Sequence, residues 1–167
     1  IDTLGREIDE TVFLGVLNRT KGKIIAMSRE TRPLGISSTP GSTIPLLSGA
    51  VGKVFLASLK NKEALRIIRD NGLKAYTPNS IVDEKDYLNA LDEVRQMGYA
   101  LDNEEYLSGI KGIAVNLGNC RGLPLIIWVV GFAATITDDK IPGMVAKILA
   151  AAREIVQLQA GNNGKDA

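Results

Sequence analysis

Two β-branched, apolar runs, TVFLGVL (11–17) and KIIAMSRE (23–30), flank the polar, turn-forming NRTKG. Such a pair predicts a β-hairpin. Ahead of it, Leu4 and Ile8 stand at i, i+4 spacing and predict the end of a helix. LGISST (34–39) predicts a third strand, stopped by Pro40-Gly41. LLSGAVGKVFLASL (46–59) then predicts an apolar helix of about three or four turns. Ser48 either caps that helix or lies within its first turn. KEALRIIRDNG is amphipathic and stops at Asn71-Gly72, and LKAYTPNSIVD predicts a loop. DEKDYLNALDEVRQMG predicts a second amphipathic helix, with Tyr87, Leu88, Leu91 and Val94 on one face. YALDNEE, IKGIAVNLG and LPLIIWVVG predict three more strands, the last two joined by the turn NCRG. TDDKIPGMVAKILAAAREIVQLQ predicts a long closing helix with acids in its first turn, and AGNNGKDA a polar, disordered tail.

Three strands, a helical block, three strands and a terminal helix predict an α+β fold rather than alternating βαβ units. The expected outcome is a half-covered antiparallel sheet whose concave face leaves room for a small molecule. The longest apolar run, LPLIIWVVGFAATI (123–136), falls short of the roughly 18 to 20 residues of a membrane helix. Its β-branched content and the flanking Gly122, Pro124 and Thr137 predict a strand buried on both faces. With 167 residues and 45% hydrophobic content, the chain is long enough for one domain with a sizeable core.

Composition narrows the chemistry. Twenty basic and 19 acidic residues give a net charge of +1, without the basic footprint of a domain that grips nucleic acid by itself. Histidine is absent, which removes the commonest general base and the commonest transition-metal ligand. The single cysteine, Cys120, excludes an internal disulfide and fits a reducing, cytoplasmic compartment. It is expected in a turn, with no base beside it to activate a thiolate. The chain begins at Ile1, so a fragment or processed chain lacking an N-terminal module is expected.

GSTIPLLSGAVGKVF (41–55) invites a phosphate-loop reading, since it carries three glycines and a Gly-Lys pair. A Walker-type loop needs Gly four residues before Gly-Lys and a hydroxyl after it. Leu47 and Val54 occupy those places, so the motif fails chemically. Lys53 is expected to be solvated on one side of the helix. On a strand, Asp102 and Glu104 would face one side and Glu105 the other. Paired carboxylates there suit acid/base work or a hard cation, against a solvated edge or a salt-bridged bend, with one inward-turned carboxylate a third reading. Asp138 and Asp139 are accounted for by helix capping and the macrodipole. Trp128, the only tryptophan, lies in the most apolar strand, where core packing is its default and pocket lining its alternative. No cofactor or metal is implied.

The order of motifs carries more than any one of them. TVFLGVL, PGSTIPLLSGAVGKVFLA, YTPNSIVDEKDYLNALDEVRQMGYALDNEEYLSGIKGIAV and VVGFAATITDDKI follow one another with few gaps. This closely resembles the C-terminal effector-binding domain of IclR-type bacterial transcription regulators, over about residues 4 to 158. The resemblance implies a GAF-like or profilin-like fold: a six-stranded, mainly antiparallel sheet flanked by helices, with a long C-terminal helix. It implies residues 1–160 as the effector-binding domain, 161–167 as tail, and a winged helix-turn-helix DNA-binding domain outside this chain. It also implies a homodimer or tetramer that senses a small-molecule effector, with DNA engaged only through the missing domain, no membrane and no enzymatic role.

By motif position the resemblance places Ile36, Ile44, Gly49, Ala50 and Val51 on one side of the effector pocket. Asp102, Ile110, Gly112, Trp128 and Val130 complete it. Gly49 and Ala50 would keep the helix start open, where free amides and a positive dipole end suit a carboxylate. Asp102 would point into the pocket and order that helix start. Relatives that bind small oxo-acids tend to carry cysteine where Gly112 stands and serines where Trp128 and Val130 stand. The expected occupant is therefore an organic acid, aromatic or larger and apolar, in preference to glyoxylate or pyruvate. Trp128 either lines the cavity or fills it, and a filled pocket would leave a domain that serves oligomerisation only.

Overall fold

The computed structural model describes residues 1–17, 21–28, 33–47, 49–120 and 122–163. The elements run α1 (Asp2–Ile8), β1 (Thr11–Leu17), β2 (Lys21–Met27), β3 (Thr43–Pro45), α2 (Gly49–Ala57) and α3 (Asn61–Asn71). They continue with α4 (Glu84–Met97), β4 (Ala100–Asn103), β5 (Ile110–Cys120), β6 (Leu123–Phe132) and α5 (Ile141–Asn163). The six strands form one antiparallel sheet in the order β3-β2-β1-β6-β5-β4. This is the α+β, six-stranded architecture expected.

Helices cover both faces, so the half-covered sheet of the sequence reading is corrected. Successive side chains alternate across a strand, and the registers fix which rows share a face. Phe13, Trp128, Ala114 and Ala100 lie opposite one another across β1, β6, β5 and β4. They meet Val51, Val54 and Phe55 of α2 together with Ile67, Ile68, Leu91 and Val94 of α3 and α4. The opposite row, Val12, Val129 and Ile113, packs with Leu4 of α1 and Met144, Val145 and Ile148 of α5. The sheet's central strands are apolar on both sides because each side carries its own core.

Local signals set the helix ends. Asp83 caps α4 by accepting from the amides of Lys85 and Asp86, at 2.8 and 3.1 Å. Gly98 stops that helix in the left-handed conformation at φ 78°. Arg95 reaches from α4 to the Ala57 and Leu59 carbonyls at 2.9 and 3.0 Å, tying the end of α2 to its neighbour. Ser48 lies outside the described residues, as do residues 164–167 of the expected tail; α5 takes in Ala160–Asn163.

Two expectations fail locally. LGISST is not a strand; the third strand is Thr43–Pro45, paired with Lys21–Lys23. The Ile24 amide donates to Ser42 O at 2.9 Å and its carbonyl accepts from Gly41 N at 2.7 Å. The sheet edge is thus taken by residues after Pro40-Gly41, which frees residues 36–38 to cross the sheet's concave face. The last helix starts at Ile141, with Pro142 in its first turn and no acid there. Asp138 instead pairs with Lys111 Nζ at 2.8 Å. Cys120, expected in the turn NCRG, is the last residue of β5, opposite Leu123.

Candidate ligand site

The start of α2, at Ala50 and Val51, borders a hollow against the sheet. A cavity of about 250 Å³ opens there, lined by Phe13, Ile24, Ile44, Val51, Trp128 and Val130 among others. Ile36, Ser37 and Ser38 form one rim, from the segment that crosses the sheet. Tyr106 and Leu107, from the loop between β4 and β5, form the other with Ile110 at the start of β5. Ala50 and Asp102 close the inner end.

Eight of the ten residues anticipated from motif position line this space: Ile36, Ile44, Ala50, Val51, Asp102, Ile110, Trp128 and Val130. Gly112 does not, though it sits between Asp102 and Val130 in one row of the sheet. Gly49 lies behind Asp102. Its φ is 60°, and a Cβ there would collide with the Asp102 carboxyl, so only glycine lets the acid pack on the helix start. Phe13, Ile24, Ser37, Ser38, Tyr106 and Leu107 were missed. Phe13 and Ile24 were legible from strand alternation once the hairpin was placed; Tyr106 and Leu107 were not.

Trp128 both packs and lines. It is 5% exposed, and its ring stacks on Phe13 with centroids 5.4 Å apart and planes 20° off parallel. The ring lies over Gly15, where a Cβ would come 2.8 Å from its outer edge. This flat seat keeps the indole along the cavity wall and the cavity open.

The acids do not follow strand alternation. β4 ends at Asn103, and Glu104 turns the chain with φ 61°, which brings Glu105 round to the inner side. Asp102 Oδ1 accepts from the Glu105 amide at 2.7 Å. Glu105 Oε1 accepts from Lys53 Nζ at 2.5 Å, and the same ammonium donates to Leu101 O at 2.6 Å. Lys53 is 5% exposed, so the solvated lysine of the sequence reading is corrected to a buried ion pair. Glu104 faces outward and accepts from the Gly109 amide at 2.6 Å.

Burial pushes the Asp102 carboxyl up to about 6, and the Glu105 carboxylate adds to the rise. Amide hydrogen bonds from Glu105 and Tyr106 and the Lys53 charge hold it back. One carboxyl, that of Asp102, therefore borders a largely apolar cavity whose other polar side chains are Ser37, Ser38 and Tyr106. Among the described residues, no cluster suited to a metal ion occurs, and no helix is long and apolar enough to cross a membrane.

A profile of the family described as bacterial transcriptional regulator IclR C-terminal matches residues 1–157. The chain belongs to this IclR C-terminal family. It is similar to the transcriptional repressor IclR of Escherichia coli K12, 28% identical over 161 residues, covering 95% of this chain and 59% of that protein. The chain thus spans under two thirds of that repressor. An IclR transcriptional regulator structure from Alicyclobacillus acidocaldarius superposes with a TM-score of 0.84 at 28% identity, over 93% of this chain and 63% of that one. A double mutant of the PobR inducer-binding domain from Acinetobacter, in complex with 3-hydroxybenzoic acid, gives a TM-score of 0.84 at 26% identity. That match covers 94% of this chain and 93% of the PobR domain.

Proposed function

We propose that this IclR-type domain senses a small carboxylic acid with an aromatic or bulky apolar body. It reports the acid to a winged helix-turn-helix module N-terminal to it, within a cytoplasmic homodimer or tetramer that regulates transcription. The observation that carries this reading is an open, largely apolar cavity walled by the Phe13–Trp128 stack at the start of α2. A cavity of about 150 Å³ lined by apolar side chains already admits benzene, so about 250 Å³ holds one ring with a carboxyl group. The ring lies against Trp128 and Val130, and the carboxyl meets the first-turn amides of α2 beside Ala50 and Val51. Serines at those two wall positions would instead supply the hydrogen bonds that a two- or three-carbon oxo-acid needs.

The PobR relative's complex with 3-hydroxybenzoic acid supports the ligand class. The repressor relatives support a regulatory role over a catalytic one. An open cavity also speaks against a domain whose only work is assembly. Ligand occupancy acts by favouring one of two arrangements of the assembled protein, so the DNA affinity changes only by the acid's differential affinity for them.

Trp128 fluorescence tests this directly, since the ring is unique and walls the cavity. Titration with 3-hydroxybenzoate or benzoate quenches or shifts its emission and raises the thermal midpoint, whereas glyoxylate and pyruvate do neither. Tight glyoxylate binding, with no response to any aromatic acid, overturns the ligand class.

A further inference from the structure

The outer rim of the cavity, Glu104–Gly109, belongs to no strand, yet it is held on two sides. From within, Glu105 contacts Asp102 and Lys53 as described. From outside, the turn Tyr76–Ser80 grips the same backbone. Thr77 Oγ1 donates to Glu104 O at 2.7 Å, and Ser80 Oγ donates to Glu105 O at 2.7 Å. Asn79 Nδ2 donates to Asn103 O at 3.2 Å, and the Tyr76 ring meets Tyr106 edge-on with centroids 5.0 Å apart. The turn is itself braced, because Ser80 Oγ accepts from the amides of Tyr76 and Thr77, each at 2.9 Å. The Asn79 amide donates to Thr77 Oγ1 at 3.1 Å. Each hydroxyl thus accepts inside the turn while donating to the rim, a geometry that fixes the donor direction. Neither Thr77 nor Ser80 lines the cavity.

We propose that Thr77 and Ser80 form a latch, positioning residues that hold Tyr106 and Leu107 over the cavity mouth and so set access and affinity without touching the ligand. The functional meaning rests on the cavity being a ligand site; the latch itself does not. The turn lies in the connection between α3 and α4, whose Arg69 and Glu84 are paired at 2.8 Å.

The test compares this 167-residue chain with the Thr77→Val/Ser80→Ala double variant. Without any ligand, acrylamide quenching of Trp128 should rise about twofold or more, since the quencher reaches the indole through the mouth. Thr77→Ser, which keeps the hydroxyl, should quench like the parent, and so should Ser58→Ala, which removes a comparable hydroxyl at the end of α2. With 3-hydroxybenzoate as probe, Kd should rise roughly fivefold or more in the double variant. Should that variant not fold, Ser80→Ala alone must still raise the quenching. Unchanged quenching in a folded variant overturns the latch. Raised quenching with no 3-hydroxybenzoate binding by either protein supports the latch and overturns the ligand class instead.

Discussion

Asp102 joins three surfaces at once: the cavity, the start of α2 and the backbone turn that carries Glu105. Its carboxyl is raised from an ordinary 3.8 to about 6, with burial the main cause. Between those values the folded chain holds a proton that the unfolded chain has released. Stability from this group is therefore fully present below about pH 4 and is lost as pH rises through 6. The full shift at 1.36 kcal/mol per unit bounds the loss near 3 kcal/mol, and residual solvent contact reduces it, giving about 1–3 kcal/mol. Asp102→Asn should remove this slope, so its stability relative to the parent grows from pH 4.5 to 7.5 in urea melts. Parallel pH curves for the two proteins would place the buried proton elsewhere, and a larger effect from Glu104→Gln would name the wrong carboxylate. At the opposite wall, Trp128→Ala should cost about 3–5 kcal/mol, because the ring is core as well as lining. Trp128→Phe keeps a stack on Phe13 and should cost clearly less, which the same melts will show.

At the scale of elements, α2 is fastened to β4 by one buried cation. The Lys53–Glu105 pair has side chains only 6% and 15% exposed. Removing one partner of such a pair typically costs about 3–5 kcal/mol, whereas replacing both by apolar or neutral groups is often nearly neutral. Lys53→Met should therefore be much worse than Lys53→Met/Glu105→Gln, and a double-mutant cycle in urea should return a coupling above about 1 kcal/mol. If the two single losses simply add, the pair does not anchor the helix. The helices themselves were legible, because α3 and α4 carry a 3.6-residue apolar period and explicit stops at Gly72 and Gly98. The strands of the first hairpin and of β5 and β6 were legible from β-branched runs. LGISST was misread because strand formation is decided by the partner: residues 43–45 occupy the β2 edge. Lys53 was misread for a related reason, since the turn at Glu104 that delivers its counter-ion leaves no mark in an alternation pattern.

For the molecule as a whole, most of the cavity wall followed from the order of motifs, with Ile36 and Ile110 at the rim, while Ser37, Ser38, Tyr106 and Leu107 did not. Tyr106 and Leu107 reach the mouth through a left-handed residue and a distant turn, and both are tertiary facts. The net charge of +1 is spread over a fold with an apolar core on each face of its sheet. Phosphate contacts by lysine and arginine supply most non-specific DNA affinity, and the near balance of 20 basic with 19 acidic residues leaves no surplus for it. This chain alone should show no sequence-selective operator binding at about 0.15 M salt, where exposed charges more than roughly 8 Å apart are largely screened. It should nevertheless self-associate, since α5 leaves Val156 and Leu158 in solvent at 43% and 69% exposure in the single chain. Sedimentation at tens of micromolar should give a dimer or larger species, and Leu158→Glu should shift that equilibrium toward monomer. Monomer alone at high micromolar concentration removes the assembly role from this domain. Selective, salt-sensitive operator binding by the chain itself would move DNA reading onto a surface whose charge balance argues against it.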